Sequence, residues 1–418
     1  MIRISDKHNC CGCEACMQVC PKQCIAMTAD EQGFLYPRVD ESVCIDCGLC
    51  ERVCPELHPL EARTPIGTYA SMNKDEAVRM QSSSGGVFTK LAEAVLAEGG
   101  VVFGVKFADD WSVEHAYTET RDGLAAFRGS KYVQSRVGTA YADALRFLKA
   151  GRKVLFSGTS CQIAGLRRFL RKDYEGLIAV EVVCHGVPSP MVWRSYLEHL
   201  KSGAHSAPGK NSAAPVSVQD VRILDVNFRD KKEGWQKYGF SLRMTSASKA
   251  EQNTVFSSVN EKKTTMEDVC LFDVCSKNLY MRLFLSDISL RPSCYACKAK
   301  SGASGADIAL ADFWNINKRY ADWNDDRGAS LVLVYTERGA EIFNHIDSRS
   351  LPTDYAFALR CNRAIEVCAV ETKHVARFWN DFLRNGWKHV PTLIRQSVPL
   401  KLRIDLFKMR VKRWLGLK

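Results

Sequence analysis

Twelve of the chain's eighteen cysteines stand at spacings that can hold metal. Residues 10–21, CCGCEACMQVCP, place Cys10, Cys13, Cys16 and Cys20 in the pattern C-x2-C-x2-C-x3-C-P. Residues 44–55, CIDCGLCERVCP, repeat it with Cys44, Cys47, Cys50 and Cys54. Three closely spaced thiolates can wrap one corner of an iron-sulfur cube, while the fourth, carried off on a short helix, reaches the neighbouring cube. The spacing therefore assigns Cys10, Cys13, Cys16 and Cys54 to one [4Fe-4S] cluster and Cys20, Cys44, Cys47 and Cys50 to another. Paired zinc sites rarely show this three-plus-one repeat. Pro21 and Pro55 turn the chain after each run. Cys11 and Cys24 fall outside the pattern and are read as packing residues.

The remaining four are Cys161, Cys184, Cys294 and Cys297. Residues 154–166, VLFSGTSCQIAGL, read as a strand entering a helix with Cys161 in its first turn. GLIAVEVVCHG reads as a second strand, and PSPMVWRSYLEHLKS as a second helix capped by Ser189 with Pro190 at its first position. Strand, helix, strand is a right-handed crossover, so the two strands are parallel and Cys161 and Cys184 converge beyond their carboxyl ends, where open α/β sheets bind ligands. RPSCYACKAK adds Cys294 and Cys297, with Arg291, Lys298 and Lys300 nearby to favour thiolates. Two plus two makes the ligand set of a third [4Fe-4S] cluster. Spacing alone also leaves a zinc site, a disulfide-exchange pair or unrelated buried cysteines open. Cys270 and Cys275, and Cys361 and Cys368 seven apart on one helix, read as core residues.

Between these groups, PELHPLEARTPIG (residues 55–67) reads as a proline-rich connection. QSSSGGVFTKLAEAVLAEGG then gives a Ser/Gly turn and a helix from Val87 to Ala97, followed by the strand VVFGVKF. In that turn hydroxyls can cap the helix amides, and glycines let the backbone approach a phosphate that the helix dipole favours. An ordinary capped loop explains the same residues.

SSSGGVF, VVFGVKF, RGSKYVQS, FSGTSCQIAGL, VCHGVPSP, NFRDKKEGW, LRPSCYACKAK and ADFWNIN, in that order, resemble the family of the coenzyme F420 hydrogenase/dehydrogenase beta subunit; the likeness spans roughly residues 66–345. The resemblance implies a flavoprotein that binds FAD beside a [4Fe-4S] cluster and passes electrons between iron-sulfur centres and a two-electron partner, a deazaflavin coenzyme in archaeal members. It supports the third cluster and implies an FAD pyrophosphate contact at Ser83, Ser84, Gly85 and Gly86. Lys131, Tyr132, Gln134 and Ser135, with Gly158, Thr159 and Gln162, become flavin-pocket candidates. Asp312, Phe313 and Trp314 are placed to close that pocket, and His185 to donate to a cluster sulfur or the flavin; packing roles remain open for Tyr132, Trp314 and His185. Two departures stand out: Ser160 where a proline is expected before the cysteine, and the small-residue insertion 202–217, read as a surface loop.

The elements that must position these residues form an α/β chain, α+β overall. A small two-cluster ferredoxin-like domain (1–60) precedes a larger mixed α/β domain for FAD and a [4Fe-4S] cluster (61–350) and a basic helical extension (351–418). At 418 residues, 46% hydrophobic and 25% charged, the composition is that of a globular protein. MIRISDKHNC lacks a signal peptide's apolar stretch and no run is long enough to span a membrane, so a cytoplasmic protein is expected. Of the net charge of +11, residues 371–418 carry +9. That tail interleaves Phe378, Trp379, Phe382, Trp387, Leu393, Ile394, Leu402, Leu406, Phe407, Trp414 and Leu415 with its cations. It reads either as closing helices with solvated basic faces or as a contact with an anionic membrane or an acidic partner. The nearly neutral body argues against nucleic acid. No Ser/His/Asp or paired-carboxylate arrangement calls for hydrolysis. The implied partner is a redox protein or a small electron carrier.

Overall fold

The computed structural model describes residues 1–202, 221–247 and 266–397. Most of the 202–217 insertion and the end of the basic tail lie outside the described residues. The cysteine-rich start contains α1 (Ala15–Val19), the antiparallel β1 (Ile25–Ala29) and β2 (Leu35–Val39), and α2 (Leu49–Arg52). Its sequence repeat is also a backbone repeat. Gly12 and Asp46 take positive φ, and so do Glu14 and Gly48, which turn the chain into α1 and α2. Glu14 is the costly member, since a left-handed residue with a Cβ loses about 1–2 kcal/mol. Its buried carboxylate offsets this by accepting from the amides of Gly138 (2.7 Å) and Val137 (3.2 Å); bonds to a charged group are worth about 1.5–3 kcal/mol each.

Next come β3 (Gly67–Asn73), α3 (Glu76–Gln81), α4 (Val87–Ala97), β4 (Val101–Phe107), β5 (Val113–Thr118), α5 (Ala140–Lys149), β6 (Val154–Thr159), α6 (Ser160–Leu170), β7 (Leu177–Val182) and α7 (Pro190–Lys201). They continue into an antiparallel three-stranded sheet of β8 (Arg222–Asp230), β9 (Gly239–Ala247) and β10 (Met266–Val274). The chain then supplies α8 (Leu279–Phe284), β11 (Ile308–Asp312), β12 (Ser330–Val334), α9 (Glu337–His345), β13 (Ser348–Pro352), α10 (Tyr355–Cys361), α11 (His374–Asn385) and α12 (Val390–Ser397).

Eight strands form the main sheet in the order β13-β3-β12-β11-β7-β6-β4-β5. Its centre, from β11 through β7 and β6 to β4, is parallel, and its flanks are antiparallel. The crossover read from VLFSGTSCQIAGL is present: β6 and β7 pair in parallel, with α6 between them in sequence. Their near-continuous apolar runs suit strands covered on both faces; Val154, Leu155 and Phe156 are fully buried. Thr159 and Gln162 close a capping box at the start of α6, and Ser189 caps α7 ahead of Pro190.

Three expectations are corrected. Cys270 is exposed, because β10 lies at the edge of the three-stranded sheet. Cys361 ends α10 while Cys368 lies beyond the helix, so the two do not share one. In the tail, the membrane reading gives way to that of closing helices for Phe378, Trp379, Phe382, Trp387, Leu393 and Ile394, which are buried in a core that includes Phe34 and Trp193. Phe34 meets Trp379 edge-on at 6.3 Å. Leu402, Leu406, Phe407, Trp414 and Leu415 lie outside the described residues. Among the described residues no helix is long and apolar enough to cross a membrane.

Candidate functional site

The cysteines gather into three neighbouring sets. Cys16 has Cys10 and Cys54 beside it, Cys13 has Cys16 and Cys54, and burial, with the charges of Cys10 and Cys54 after it, pushes the Cys16 thiol far above its ordinary value. Cys20, Cys44, Cys47 and Cys50 line one hollow at the other end of the cysteine-rich segment. Cys24, read as a packing residue, lines it too, with its Sγ 3.4 Å from that of Cys20. The third set forms where β6 and β7 end: Cys294 has Cys184, Cys161 and Cys297 as neighbours, and burial pushes the Cys184 thiol up to about 12. Among the described residues no three His, Cys, Asp or Glu side chains close on one point as a single ion would require.

Donors aimed at sulfur accompany each set. The Ile2 amide points at Cys50 Sγ (3.3 Å), Asp46 at Cys44 Sγ (3.4 Å), Val187 at Cys294 Sγ (3.4 Å), and the Arg291 guanidinium at Cys10 Sγ (3.4 Å). Hydrogen bonds to sulfur are how a protein steadies and tunes cluster thiolates, so these residues fit four-iron clusters. The nearby cations divide their work differently from the sequence reading. Arg291 serves Cys10, Lys300 holds the carbonyl of Cys184 (2.7 Å), and Lys298 holds that of Glu56 (2.7 Å).

Cys11, outside the pattern, lies between two sets. Its thiol hydrogen-bonds toward Cys13 on one side and Cys161 on the other, and its own thiol is held well above the usual range. Hydrogen bonding to Cys11 and burial raise Cys161 likewise. α6 permits this approach because it carries Gly165, where a Cβ would meet Cys13 Cβ at 2.9 Å and Tyr141 Oη at 2.8 Å. Ser160 replaces the expected proline usefully: its hydroxyl donates to buried Glu181 at 2.6 Å.

Beside the third set opens a cleft of about 410 Å³. Nine of the eleven flavin-pocket candidates line it: Ser83, Ser84, Gly86, Lys131, Tyr132, Ser135, Gly158, Thr159 and Gln162. Gly85 does not, since it is pressed between strands: an added Cβ would lie 2.5 Å from the Ser71 carbonyl and 2.6 Å from the Ser330 amide. Gln134 turns away instead, donating to the Cys11 carbonyl (3.1 Å) and accepting from Arg291 (3.0 Å). The serine hydroxyls do not cap α4. Ser82 bonds Val78, Ser83 accepts from Ser130, and Ser84 bonds Ala329, which leaves α4 to start at Gly86 without a side-chain cap.

The basic side chains of Arg229 and Lys131 stand on the cleft wall. Arg229 pairs through both terminal nitrogens with Asp312 (2.7 and 2.9 Å) and donates to Tyr132 Oη and the Ser83 carbonyl. Its Nε is buried without a partner. Lys131 donates only to the carbonyls of Arg128 and Gly129, and burial pushes it down to about 7. Trp314 lines the cleft, stacked on Trp235 at 4.7 Å. Phe313, expected near the ring, is in the core. His185, on the cleft rim, is tied to Asp287 at 2.6 Å. An uncapped helix start, an orphaned guanidinium nitrogen and an aromatic stack fit a ligand that carries both phosphates and a flat ring system. Arg229 lies in the motif NFRDKKEGW, but no spacing rule singles it out.

Residues 68–141 match the family model for the N-terminus of the coenzyme F420 hydrogenase/dehydrogenase beta subunit, and residues 151–353 that for its C-terminus. Residues 9–57 match the 4Fe-4S dicluster domain. The chain is 23% identical over 354 residues to a coenzyme F420-dependent sulfite reductase of Methanocaldococcus jannaschii, covering 82% of this chain and 47% of the relative. It is 25% identical over 197 residues to a Methanosarcina mazei F(420)H(2) dehydrogenase subunit, covering 43% of this chain and 55% of that one. The chain thus spans about half the length of the curated relatives it matches. A chain of the F420-reducing [NiFe] hydrogenase complex of Methanosarcina barkeri overlaps 80% of this chain and 89% of its own, at TM-score 0.41 and 15% identity.

Proposed function

The chain belongs to the family of the coenzyme F420 hydrogenase/dehydrogenase beta subunit, and from that membership we propose that it moves electrons between iron-sulfur clusters and a two-electron reaction at the cleft, with FAD as the cleft's cofactor. The observation that carries this reading is Cys184, which belongs to the third cysteine set and also lines the cleft. When bound, the clusters supply single-electron carriage and the flavin the exchange of single electrons for a pair.

The protein's part is placement. Gly86 and the open start of α4 would face the pyrophosphate, Arg229 would hold charge beside it, and Trp314 would bound the ring side. Cys161, Cys184, Cys294 and Cys297 would hold the third cluster against the cleft. Cys11 and Gly165 bring the cysteine-rich segment close enough for a continuous series. Val105, Phe284 and Leu310 give the cleft apolar walls that limit water around the reacting ring.

The test is anaerobic: purified protein supplied with reduced deazaflavin coenzyme, or a nicotinamide, and an artificial one-electron acceptor. Turnover by the isolated chain supports an enzyme in its own right. Turnover only with an added protein supports a second reading, an adaptor that feeds a separate catalytic subunit, in keeping with the Methanosarcina mazei relative's being a dehydrogenase subunit.

A further inference from the structure

The three cysteine sets stand in series, with Cys50 neighbouring Cys16 and Cys11 standing between Cys13 and Cys161, and the two ends of the series differ. One end, at Cys184, opens on the cleft. At the other, Cys47 is the exposed member of the eight N-terminal cysteines, with exposed Val43 and Ile45 just before it in the chain. A one-electron partner gains most by docking where a cluster comes nearest the surface.

Beside Cys47 lies a second cleft, of about 360 Å³, framed by Arg52, Arg167, Arg168, Arg171 and Lys172 with Leu60 and a single carboxylate, Asp173. Arg52 joins the two features, because its guanidinium donates to the Cys47 carbonyl at 3.1 Å while its side chain lines the cleft. Asp173 and buried Asp307 together pair with Arg167 (2.8 Å to each) and Arg338 (3.2 and 3.1 Å), so the cleft's excess positive charge rests on Arg52, Arg168, Arg171 and Lys172. Arg168 donates to the Pro59 carbonyl at 2.8 Å and keeps a buried Nε without a partner. Arg171 and Lys172 stand exposed. Asp46 and Glu51 also flank Cys47, on the side toward Met1. We infer that this basic cleft is the docking surface of an acidic one-electron carrier protein, which exchanges electrons with the cluster held by Cys20, Cys44, Cys47 and Cys50.

The inference rests on the proposed function. One electron leaves the reduced carrier and one is gained by the cluster; no atom or proton moves. A protein fits better than a small anion because the cations frame an open surface beside exposed apolar side chains rather than enclosing one point, and such surfaces steer encounter through long-range fields. Ile45 and Val43 supply the apolar contact that a small anion would not use.

The experiment uses the holoprotein, with a reduced acidic 2[4Fe-4S] ferredoxin as the probe and dithionite as a reductant that needs no docking. The variant is Arg171→Glu combined with Lys172→Glu, both outside the cofactor sites. Stopped-flow bleaching of the clusters by ferredoxin should slow by about tenfold or more at low salt and lose most of its salt dependence. Iron content and reduction by dithionite should be unchanged. Equal ferredoxin rates and equal salt slopes in the variant and the parent would overturn the inference. So would a loss confined to binding of phosphatidylglycerol vesicles, or tight competition by inorganic phosphate, which would assign the cleft to a membrane or a small anion. Absence of iron, or clusters that dithionite cannot reduce, would instead remove the proposed function itself.

Discussion

The guanidinium of Arg291 donates to the carbonyl of Cys10 at 2.7 Å and stands 3.4 Å from its Sγ, although the two are 281 residues apart in the chain. The same side chain reaches Leu35 and Gln134 and lies over the Tyr36 ring at 4.4 Å, fully buried. A buried cation beside a cluster thiolate favours the reduced, more negative state. Arg291→Met should therefore lower the potential of the cluster held by Cys10 by about 50 mV or more, about 1.2 kcal/mol for one electron. Arg291→Lys keeps the charge and should recover most of the shift while remaining less stable. EPR-monitored redox titration separates the two, and a potential unchanged in both variants would show that Arg291 is purely structural.

Gly165 is where α6 accepts the cysteine-rich segment. A valine there would press on Cys13 and on Tyr141 Oη, whose hydroxyl donates to the Gln162 carbonyl at 2.7 Å. Gly165→Val should cost about 1–3 kcal/mol, the usual penalty for overpacking. It should also slow exchange between the N-terminal clusters and the cleft. A melting temperature and rate equal to the parent's would mean that the segment does not rest on α6 in solution.

The N-terminal dicluster pattern was legible because thiolate ligation imposes a local spacing that survives any fold. The crossover from β6 through α6 to β7 was legible for a similar reason, since apolar runs, a cap and a helix period are local signals. What joins distant segments was not. Arg291 was named as a neighbour of Cys294, yet its bonds go to Cys10. Gln134 was placed at the flavin by its motif and turns instead to Cys11. Gly85 has the chemistry of a phosphate turn, but two strands already occupy its open side. The basic cleft combines α2 with the end of α6, and neither stretch is notable alone.

Lys131 gives a pH signature. Burial without a carboxylate partner holds it near 7, below its ordinary 10.5. Between those values the unfolded chain carries a proton that the folded chain lacks, so its contribution to stability rises with pH across the window and falls as pH drops toward 7. The slope is at most about 1.4 kcal/mol per pH unit. In flavin-free protein unfolded by urea at pH 7, 8 and 9, Lys131→Met should be the flatter of the two. Parallel curves would show that Lys131 stays charged in the folded protein.

Replacing Cys161 distinguishes a cluster ligand from a nucleophile and from a packing residue. As a cluster ligand with Cys184, Cys294 and Cys297, its replacement by serine should reduce iron from about twelve to about eight per chain, because oxygen is a poorer iron-sulfur ligand than thiolate. The two N-terminal clusters should remain, their ligands lying on separate elements. FAD should still bind, since its proposed contacts at Gly86, Arg229 and Lys131 do not pass through Cys161. Electron transfer from the cleft to the N-terminal clusters should fall sharply with the intermediate carrier gone. A nucleophile would instead leave iron intact and abolish turnover alone. A packing residue would leave iron and turnover alike, with a stability change of about 1 kcal/mol. Iron analysis with low-temperature EPR of the reduced variant distinguishes all three, and an undiminished iron count with an unchanged spectrum would remove the third cluster from this protein.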